Sequence, residues 1–214
     1  MSLTLHFHPL SSFCQKALIG LYELEIPFTK HQVDLSKEDE RAALTKLWPM
    51  CKFPVLRDEA HGVTVPETSI LLEYAEAMSG KKGHLIPTDP TQALICRLRD
   101  RFFDLYVDLP MQRLVGDKLR PEGKKDPFGV EQNRAQIEKA YGVADEWLRE
   151  GPWALGEAFS MADCAAAPAL FYASRMVPFG DKKHLAAYFA RLEERPSYAR
   201  VQEEAKPYLA HFPG

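Results

Sequence analysis

Two hydroxyl groups and one thiol lie close together in the segment PLSSFCQKAL, residues 9–18. Ser11, Ser12 and Cys14 stand where a short apolar strand gives way to a helix. Because the first N–H groups of a helix lack partners and carry a partial positive charge, they favour a thiolate, carboxylate or phosphate. A serine hydroxyl there adds a hydrogen bond to such an anion. The alternative is that one serine caps the helix and the other is solvated, and this segment alone favours the cap.

Cys14 is predicted to be a core residue rather than a nucleophile. It shares the apolar face of the helix with Leu18 and Leu21, and free cysteine is among the residue types most often buried. The four cysteines of the chain are scattered, with no C-x-x-C pair and no Cys/His group at zinc spacing. We therefore expect no metal site, and reduced thiols as in the cytoplasm.

A second helix start follows in VPETSILLEY, residues 65–74. Thr68 or Ser69 could cap this helix, while Glu67 would favour its dipole. The functional alternative is that the helix N-terminus binds a carboxylate and that Glu67 binds an ammonium group. Together these would suit an α-amino acid. The local sequence favours the cap.

Two further motifs have structural interpretations. The segment KFPVL, residues 52–56, begins a predicted strand. Proline is tolerated at the first position of a strand and most X-Pro bonds are trans, so this segment in isolation predicts a trans Pro54. Ser160 and Asp163 have the S-x-x-D spacing of a capping box. The apolar helix predicted behind them needs a well-defined start, so we assign this pair a structural role.

The composition argues against several classes of partner. The chain has 214 residues, of which 46% are hydrophobic and 27% charged, as is typical of a globular protein. A formal charge of −3 gives no general attraction to nucleic acid or acidic membranes. The first ten residues do not resemble a signal peptide, and no run of about 18 apolar residues occurs. We therefore expect a cytoplasmic protein that binds neither nucleic acid nor membrane.

The elements that position these residues fall into two parts. Residues 1–80 are predicted as β-α-β-α-β-β-α, because period-2 strands alternate with helical spacing and end in a hairpin. This order predicts an α/β domain whose early strands pair in parallel and whose hairpin forms an antiparallel edge. Residues 81–90 are the predicted linker. Residues 91–214 are predicted to be all helical, with Pro110 interrupting one long helix.

Taken together, these features resemble the cytosolic glutathione transferase family, in particular its serine-type, bacterial-like members; no subclass is assigned. The resemblance runs from Leu3 to about Tyr198 and rests on the order of its motifs. These are SSFCQK, KFPVL, PETSILLEY, LIPTDPTQ and WALGEAFSMAD. The resemblance implies a thioredoxin-like domain followed by an all-helical domain, which is the order that the patterns predict.

The resemblance also implies a glutathione site in the N-terminal domain. Glu67 and Thr68 would hold the amine and the carboxylate of the γ-glutamyl end. The backbone of Phe53, before a cis Pro54, would pair with the cysteinyl unit, and Lys52 would reach the glycine carboxylate. Glutathione would be a co-substrate, and no metal is implied.

One serine hydroxyl would donate a hydrogen bond to the glutathione thiolate. Ser11 aligns best with the catalytic serine of the serine-type classes, and a one-residue shift at the turn makes Ser12 the alternative. The chain departs from the family pattern at two positions. Thr68 stands where Ser is usual but keeps the hydroxyl, and Cys51 stands where Gly is common. If position 51 requires a positive φ, cysteine fits it poorly.

The implied activity is the transfer of glutathione to a small hydrophobic electrophile. The pocket for the electrophile should lie between the domains. Leu10, Tyr106 and Met111 are candidates for its lining from their helix positions, and ordinary core is the alternative for all three. The resemblance also implies a homodimer. Two other interpretations stay open: a different glutathione-dependent enzyme, such as an isomerase, dehalogenase or peroxidase, and a non-catalytic ligand-binding or interaction protein.

Overall fold

A computed structural model describes residues 3–213 of the chain. Its N-terminal part is a four-stranded sheet in the order β2-β1-β3-β4, in which β1 pairs with β2 in parallel and the other pairs are antiparallel. The strands are β1 (Leu3–Phe7), β2 (Thr29–Gln32), β3 (Val55–Asp58) and β4 (Val63–Pro66). The helices between and after them are α1 (Ser12–Glu23), α2 (Glu38–Leu47) and α3 (Thr68–Ser79). The predicted thioredoxin-like order is confirmed.

The sheet buries one set of alternating side chains. In β1, Leu3, Leu5 and Phe7 are buried while the two residues between them are half-buried, as the period-2 pattern predicts. The edge strand β2 is shorter than the predicted strand, residues 28–35, and all four of its residues are exposed. Val33, the next residue, still donates its N–H to the carbonyl oxygen of Phe7 at 2.8 Å, and its side chain packs in a small cluster with Leu44 and Val55.

The C-terminal part is helical. It contains α4 (Pro90–Phe102), a π-helical turn (Phe103–Asp108), α5 (Leu109–Leu119), α6 (Pro127–Trp147), α7 (Met161–Met176), α8 (Lys183–Glu193), α9 (Pro196–Ala205) and a 3₁₀ turn (Lys206–His211). Helix α7 is buried on nearly all sides and contacts α1 and α4. The burial that its apolar sequence predicts is confirmed, and the helix packs against both parts of the chain.

The predicted interruption of the long helix at Pro110 is confirmed, and it takes the form of a π turn. The N–H of Leu109 donates to the carbonyl oxygen of Asp104, five residues earlier. Pro110 has no N–H with which to continue the α-helical ladder, and the wider turn ends at α5, of which this proline is the second residue.

Helix α9 lies beyond the last helix that the sequence pattern indicated. It starts with Pro196, a favourable first residue. Its buried residues Tyr198, Val201 and Ala205 recur at helical spacing, and the helix packs against α1. The pattern is short, so its signal is weak when it is read without tertiary context.

Ser160 and Asp163 form the predicted capping box at the start of α7. The buried Asp163 carboxylate accepts hydrogen bonds from the Ser160 N–H at 2.8 Å, the Ala154 N–H at 2.7 Å and the Tyr188 hydroxyl at 2.7 Å. This one side chain therefore ties α7 to α8 and to the preceding loop.

We predict that Asp163→Ala lowers the free energy of unfolding by about 3 kcal/mol or more, because each buried donor left without an acceptor costs about 1–3 kcal/mol. Urea unfolding followed by circular dichroism measures the change. Asp163→Asn keeps one acceptor oxygen and is the matched control, for which we expect a smaller loss. Equal losses in the two variants would contradict this role of the carboxylate.

Candidate active site

Two cavities adjoin between the sheet and the helical part of the chain. The smaller has a volume of about 210 Å³, and its lining includes Lys52, Phe53, Pro54, Glu67 and Thr68. The larger has a volume of about 580 Å³, and its lining includes Ser11 and Ser12. Lys52 and Phe53 line both cavities. The fold therefore places the polar residues singled out from the sequence around one continuous site.

The loop before β3 shapes the boundary between the cavities. The Phe53–Pro54 peptide bond is cis, as the family resemblance implied, and the trans bond predicted from the isolated segment is wrong. Cys51 has a φ of 50°, so this position does adopt the left-handed conformation that glycine favours. Lys52 nevertheless lines both cavities, so the cysteine does not turn it away from the site.

The first turn of α3 borders the smaller cavity. Glu67 occupies the N-cap position with a φ of 65° and makes no side-chain cap hydrogen bond within the described residues. The prediction that Thr68 or Ser69 caps the helix is wrong, because Thr68 is already helical and the Ser69 hydroxyl donates to Asp100 at 2.6 Å. A helix start of this kind, with a hydroxyl and a carboxylate beside it, can hold the carboxylate and the ammonium of an amino acid.

Ser11 caps α1 and also lines the larger cavity. Its hydroxyl oxygen accepts a hydrogen bond from the Cys14 N–H at 3.3 Å. Because the oxygen is the acceptor in this bond, the hydroxyl hydrogen stays available for donation. The Cys14 thiol is fully buried, and burial raises its pKa to about 12, which confirms Cys14 as a core residue.

Ser12 is directed toward the helical part of the chain. Its hydroxyl donates to Asp108 Oδ2 at 3.0 Å and accepts from Gln112 Nε2 at 3.3 Å. The same Gln112 nitrogen donates to Asp108 Oδ2 at 2.7 Å. The two serines therefore differ, because the hydroxyl hydrogen of Ser12 is already bound to a carboxylate and that of Ser11 is available to a ligand.

The Asp108 carboxyl group lies beneath this site with 2% of the residue exposed. Burial raises the pKa of Asp108 to about 7; Asp104 adds to the rise, and the hydrogen bonds from Ser12 and Gln112 oppose it. The carboxyl group therefore gains or loses its proton near neutral pH.

Lys16 connects α1 to the helical part of the chain below the cavities. Its Nζ lies 2.6 Å from Asp100 Oδ1 and 2.8 Å from Asp104 Oδ2, and it donates to Ser69 Oγ at 3.0 Å. Burial opposes the charge, but the two carboxylates raise the pKa of Lys16 above its usual value. The lysine therefore holds α1, α3 and α4 together as a buried cation.

Of the three residues proposed for the electrophile pocket, Leu10 and Met111 line the larger cavity. Tyr106 does not, and that prediction is wrong. Its residue is 49% exposed, and its ring packs 5.5 Å from the ring of Phe102. The prediction placed Tyr106 by regular helical spacing up to Pro110, whereas the π turn begins at Phe103 and changes which side chains face the cavity.

Sequence reasoning missed several residues of the site. Asp108 and Gln112 were missed although one pattern could have indicated them. Asp100, Asp104, Asp108 and Gln112 follow one another at a spacing of four residues, which places them near one face of a helix. His211, Phe212 and Pro213 also line the larger cavity. They follow the last predicted helix, and no local pattern pointed to them.

The described residues show neither a metal-type cluster nor a spanning helix. Within residues 3–213, no three His, Cys, Asp or Glu side chains are grouped so that they could hold a metal ion. Over the same range, no helix is long and apolar enough to cross a membrane. The four cysteines are free, and three of them are buried.

Comparison with known proteins identifies the family. Residues 10–78 match the family model described as Glutathione S-transferase, N-terminal domain, and residues 102–196 match Glutathione S-transferase, C-terminal domain. Together the two models match most of the chain. The chain therefore belongs to the glutathione S-transferase family, and its thioredoxin-like and helical parts have the fold of that family.

Individual relatives are distant but span nearly the whole chain. Glutathione S-transferase GstB of Escherichia coli K12 is 22% identical over 195 residues, which are 89% of this chain and 93% of the relative. The structure of a glutathione S-transferase from Methylobacillus flagellatus KT with glutathione bound has a TM-score of 0.83 and 24% identity, covering 94% of this chain and 98% of that one. Poplar glutathione transferase F1 has a TM-score of 0.84 and 23% identity, covering 97% and 99%. These structures establish the shared fold.

We predict that Asp108→Asn stabilises the fold more at about pH 8 than at about pH 5. The carboxyl has a pKa of about 7 when folded against an ordinary value of 3.8. Protonation of Asp108 therefore contributes its full stabilisation below the ordinary pKa of 3.8. This contribution is lost as the pH rises through the folded pKa of about 7. Asparagine stays neutral, so it avoids this loss. Urea unfolding of both proteins at the two pH values is the measurement, and a difference that does not grow with pH would contradict the raised pKa.

Proposed function

We propose that this protein ionises the thiol of glutathione and transfers the thiolate to a small hydrophobic electrophile. The observation that carries the proposal is the position of the Ser11 hydroxyl. It lies at the N-terminus of α1 and lines a large cavity, which adjoins the smaller cavity bordered by Glu67 and Thr68. Membership of the glutathione S-transferase family supports the general reaction.

The smaller cavity would hold the γ-glutamyl end of glutathione. Glu67 would bind the amine, and the Thr68 hydroxyl with the N–H groups of the first turn of α3 would bind the carboxylate. The backbone of Phe53 would pair with the cysteinyl unit, which directs the sulfur toward the larger cavity. Lys52 lines both cavities and would reach the glycine carboxylate.

The N-terminus of α1 would favour the thiolate over the thiol. The partial positive charge at a helix start lowers the pKa of a nearby thiol, and a hydrogen bond donated by Ser11 adds to this effect. The sulfur then attacks the electrophilic carbon. A carbon–sulfur bond forms, and the leaving group departs with the electron pair of the bond that breaks. Ser11 itself forms no covalent bond.

The larger cavity would receive the electrophile. Leu10, Met111, Val115 and Phe212 give it an apolar lining beside the serines. A volume of about 580 Å³ suits a small molecule. These features support a small, mostly apolar electrophile as the second substrate.

An exposed apolar surface supports a homodimer. Ile70 on α3 and Leu94 and Leu98 on α4 are 56%, 67% and 59% exposed. The two helices are joined beside them by an ion pair between Arg97 and Glu73 at 2.7 Å. Large apolar side chains exposed on two linked helices are typical of a surface that binds a partner, and we propose that the partner is a second copy of this chain. The free cysteines fit a reducing compartment, and we propose the cytoplasm.

Variants of the two serines test the function. We predict that Ser11→Ala lowers kcat/KM for glutathione conjugation to an aryl halide about 100-fold, because a donor to the developing anion is removed. Ser12→Ala removes a hydroxyl whose hydrogen is bound to Asp108 in the free protein, so we expect a smaller loss of about tenfold. Retention on immobilised glutathione should survive in both variants, and circular dichroism confirms that they are folded.

Three outcomes would overturn parts of this proposal. A larger loss in Ser12→Ala than in Ser11→Ala would transfer the donor role to Ser12. Full activity in both variants would refute the hydroxyl mechanism. An absence of glutathione binding by calorimetry, even at millimolar concentration, would favour a non-catalytic protein. Product analysis with halides, hydroperoxides and isomerisable substrates separates conjugation from the other glutathione-dependent reactions.

We predict that the double variant Leu94→Glu, Leu98→Glu is monomeric while the unaltered protein is dimeric, because two charges would have to be buried in the interface. Light scattering after size-exclusion chromatography measures the mass of each. Phe128→Glu is the matched control, since Phe128 is 69% exposed on α6, away from α3 and α4, and it should stay dimeric. A monomeric unaltered protein would contradict the proposed dimer.

A further inference from the structure

The buried carboxylates under the active site outnumber the cations that neutralise them. Lys16 lies within 2.8 Å of both Asp100 and Asp104. Arg101, which is half exposed, lies 3.1 Å from Asp104. Within residues 3–213, the side chains that donate to Asp108 are the neutral groups of Ser12 and Gln112. Asp108 is therefore the carboxylate of this cluster that lacks a direct ionic partner.

The environment of Asp108 favours the binding of a proton. Its Oδ1 atom is buried and has no hydrogen-bond partner in the described part of the chain. An ionised carboxylate in such a place is poorly solvated, so the neutral acid is favoured. The pKa of about 7 agrees with this geometry.

The groups that face Asp108 from each neighbouring element allow this protonation. Asp104, on the same π turn, raises the pKa of Asp108, and Lys16 on α1 lowers it. On α7, burial raises the pKa of the Tyr172 hydroxyl well above its usual value, so Tyr172 stays neutral. Gln112 on α5 donates a hydrogen bond and carries no charge.

We propose that Asp108 accepts, through the Ser12 hydroxyl, the proton that glutathione loses when its thiol ionises. The inference rests on the proposed function, because it needs a glutathione sulfur in the larger cavity, which Ser12 lines. Ser12 already donates to Asp108 Oδ2 at 3.0 Å. One hydroxyl therefore connects the cavity with a buried proton acceptor.

The proton transfer from the thiol to Asp108 conserves atoms and charge within the site. The thiol proton passes to Ser12 Oγ while the Ser12 hydroxyl proton passes to Asp108 Oδ2. The S–H bond and one O–H bond break, a new O–H bond forms on each of Ser12 and Asp108, and the negative charge moves from the carboxylate to the sulfur. No other reactant is required.

After the transfer, the hydrogen bonds reverse direction. Asp108 donates to Ser12, and Ser12 donates to the thiolate beside the bond from Ser11. A carboxylate and a thiolate this close repel each other, so the pair holds a single shared proton. Asp108 acts through Ser12 and is therefore a positioning residue, while the two serines have different roles at the same sulfur.

The number of protons released on glutathione binding tests this inference. Calorimetry at about pH 8 in buffers of different ionisation enthalpy gives that number, and ultraviolet difference absorbance gives the amount of bound thiolate. S-methylglutathione, which has no thiol proton, supplies the baseline. For the unaltered protein we expect thiolate formation with almost no proton released to the buffer, because Asp108 keeps the proton.

In Asp108→Asn, each thiolate formed should release about one proton to the buffer. The kcat/KM near pH 7 should fall about tenfold, and the difference should shrink as the pH rises toward the ordinary thiol pKa of about 8.5. Asp108→Glu keeps a carboxyl group and should restore proton retention. Asp145→Asn alters a buried carboxylate on α6 that accepts from the Leu185 N–H, so it is the control for a purely structural effect and should match the unaltered protein.

The outcomes separate this inference from the function on which it rests. If the unaltered protein forms thiolate but releases as many protons as Asp108→Asn, the relay is refuted and the proposed function stands. If Asp108→Asn lowers kcat/KM equally at every pH and leaves the number of released protons unchanged, the proton relay is refuted as well. If glutathione binds without any thiolate signal, or does not bind, both proposals fail.

Discussion

A buried positive charge organises the junction between the two parts of this protein. Lys16 is 1% exposed, and a lysine that is so deeply buried is stable only when carboxylates surround it. Asp100 and Asp104 supply them from α4 and the π turn, and Ser69 on α3 completes the contacts. The cost of leaving such charges unpaired fixes the position of α1 against α4. The smaller cavity is lined by residues of α1, α3, α4 and the π turn, so the ion cluster also sets the geometry of that part of the site.

The cluster contains more buried carboxylates than buried cations, and this excess determines what the site can do chemically. Two of the three carboxylates neutralise Lys16, while Asp108 is held by neutral donors. A site with one ionisable group near neutrality and one hydroxyl at a helix start can stabilise an anion and also take up its proton. Ser11 and Ser12 are neighbours in sequence, yet they face different partners because Ser11 is the N-cap with an extended backbone and Ser12 is the first helical residue.

Much of the fold was predictable because its signals are local. The alternation in β1, the apolar helix α7 and its capping box at Ser160 need only neighbouring residues to be recognised. The site was partly predictable for a different reason: the motif around Glu67 and the sequence KFPVL resemble a family pattern. Their isolated chemistry favoured the wrong isomer for Pro54 and the wrong caps for α3, because both depend on contacts that the local sequence does not contain.

Other parts depend on long-range geometry. Tyr106 was misplaced because regular helical spacing was assumed up to Pro110, whereas a π turn begins at Phe103. The role of Asp108 can be recognised only once Ser12, 96 residues away, is beside it. The segment from α9 to Pro213 gives weak periodic signals, and its contribution to the larger cavity comes from its packing against α1 and Tyr172. These contacts cannot be inferred from a short stretch of the sequence.

The π turn at Phe103–Asp108 makes the length of this segment more constrained than its composition. In a straight α-helix, positions four residues apart advance by about 40° around the axis, so Asp100, Asp104 and Asp108 would drift away from α1. The wider turn takes up that advance. Deleting one residue here would restore regular winding and would leave α5 close to its present orientation, because the wider turn accommodates about one extra residue. A single deletion would therefore change which side chains of the segment face Lys16 and Ser12 while the helices on either side stay in place.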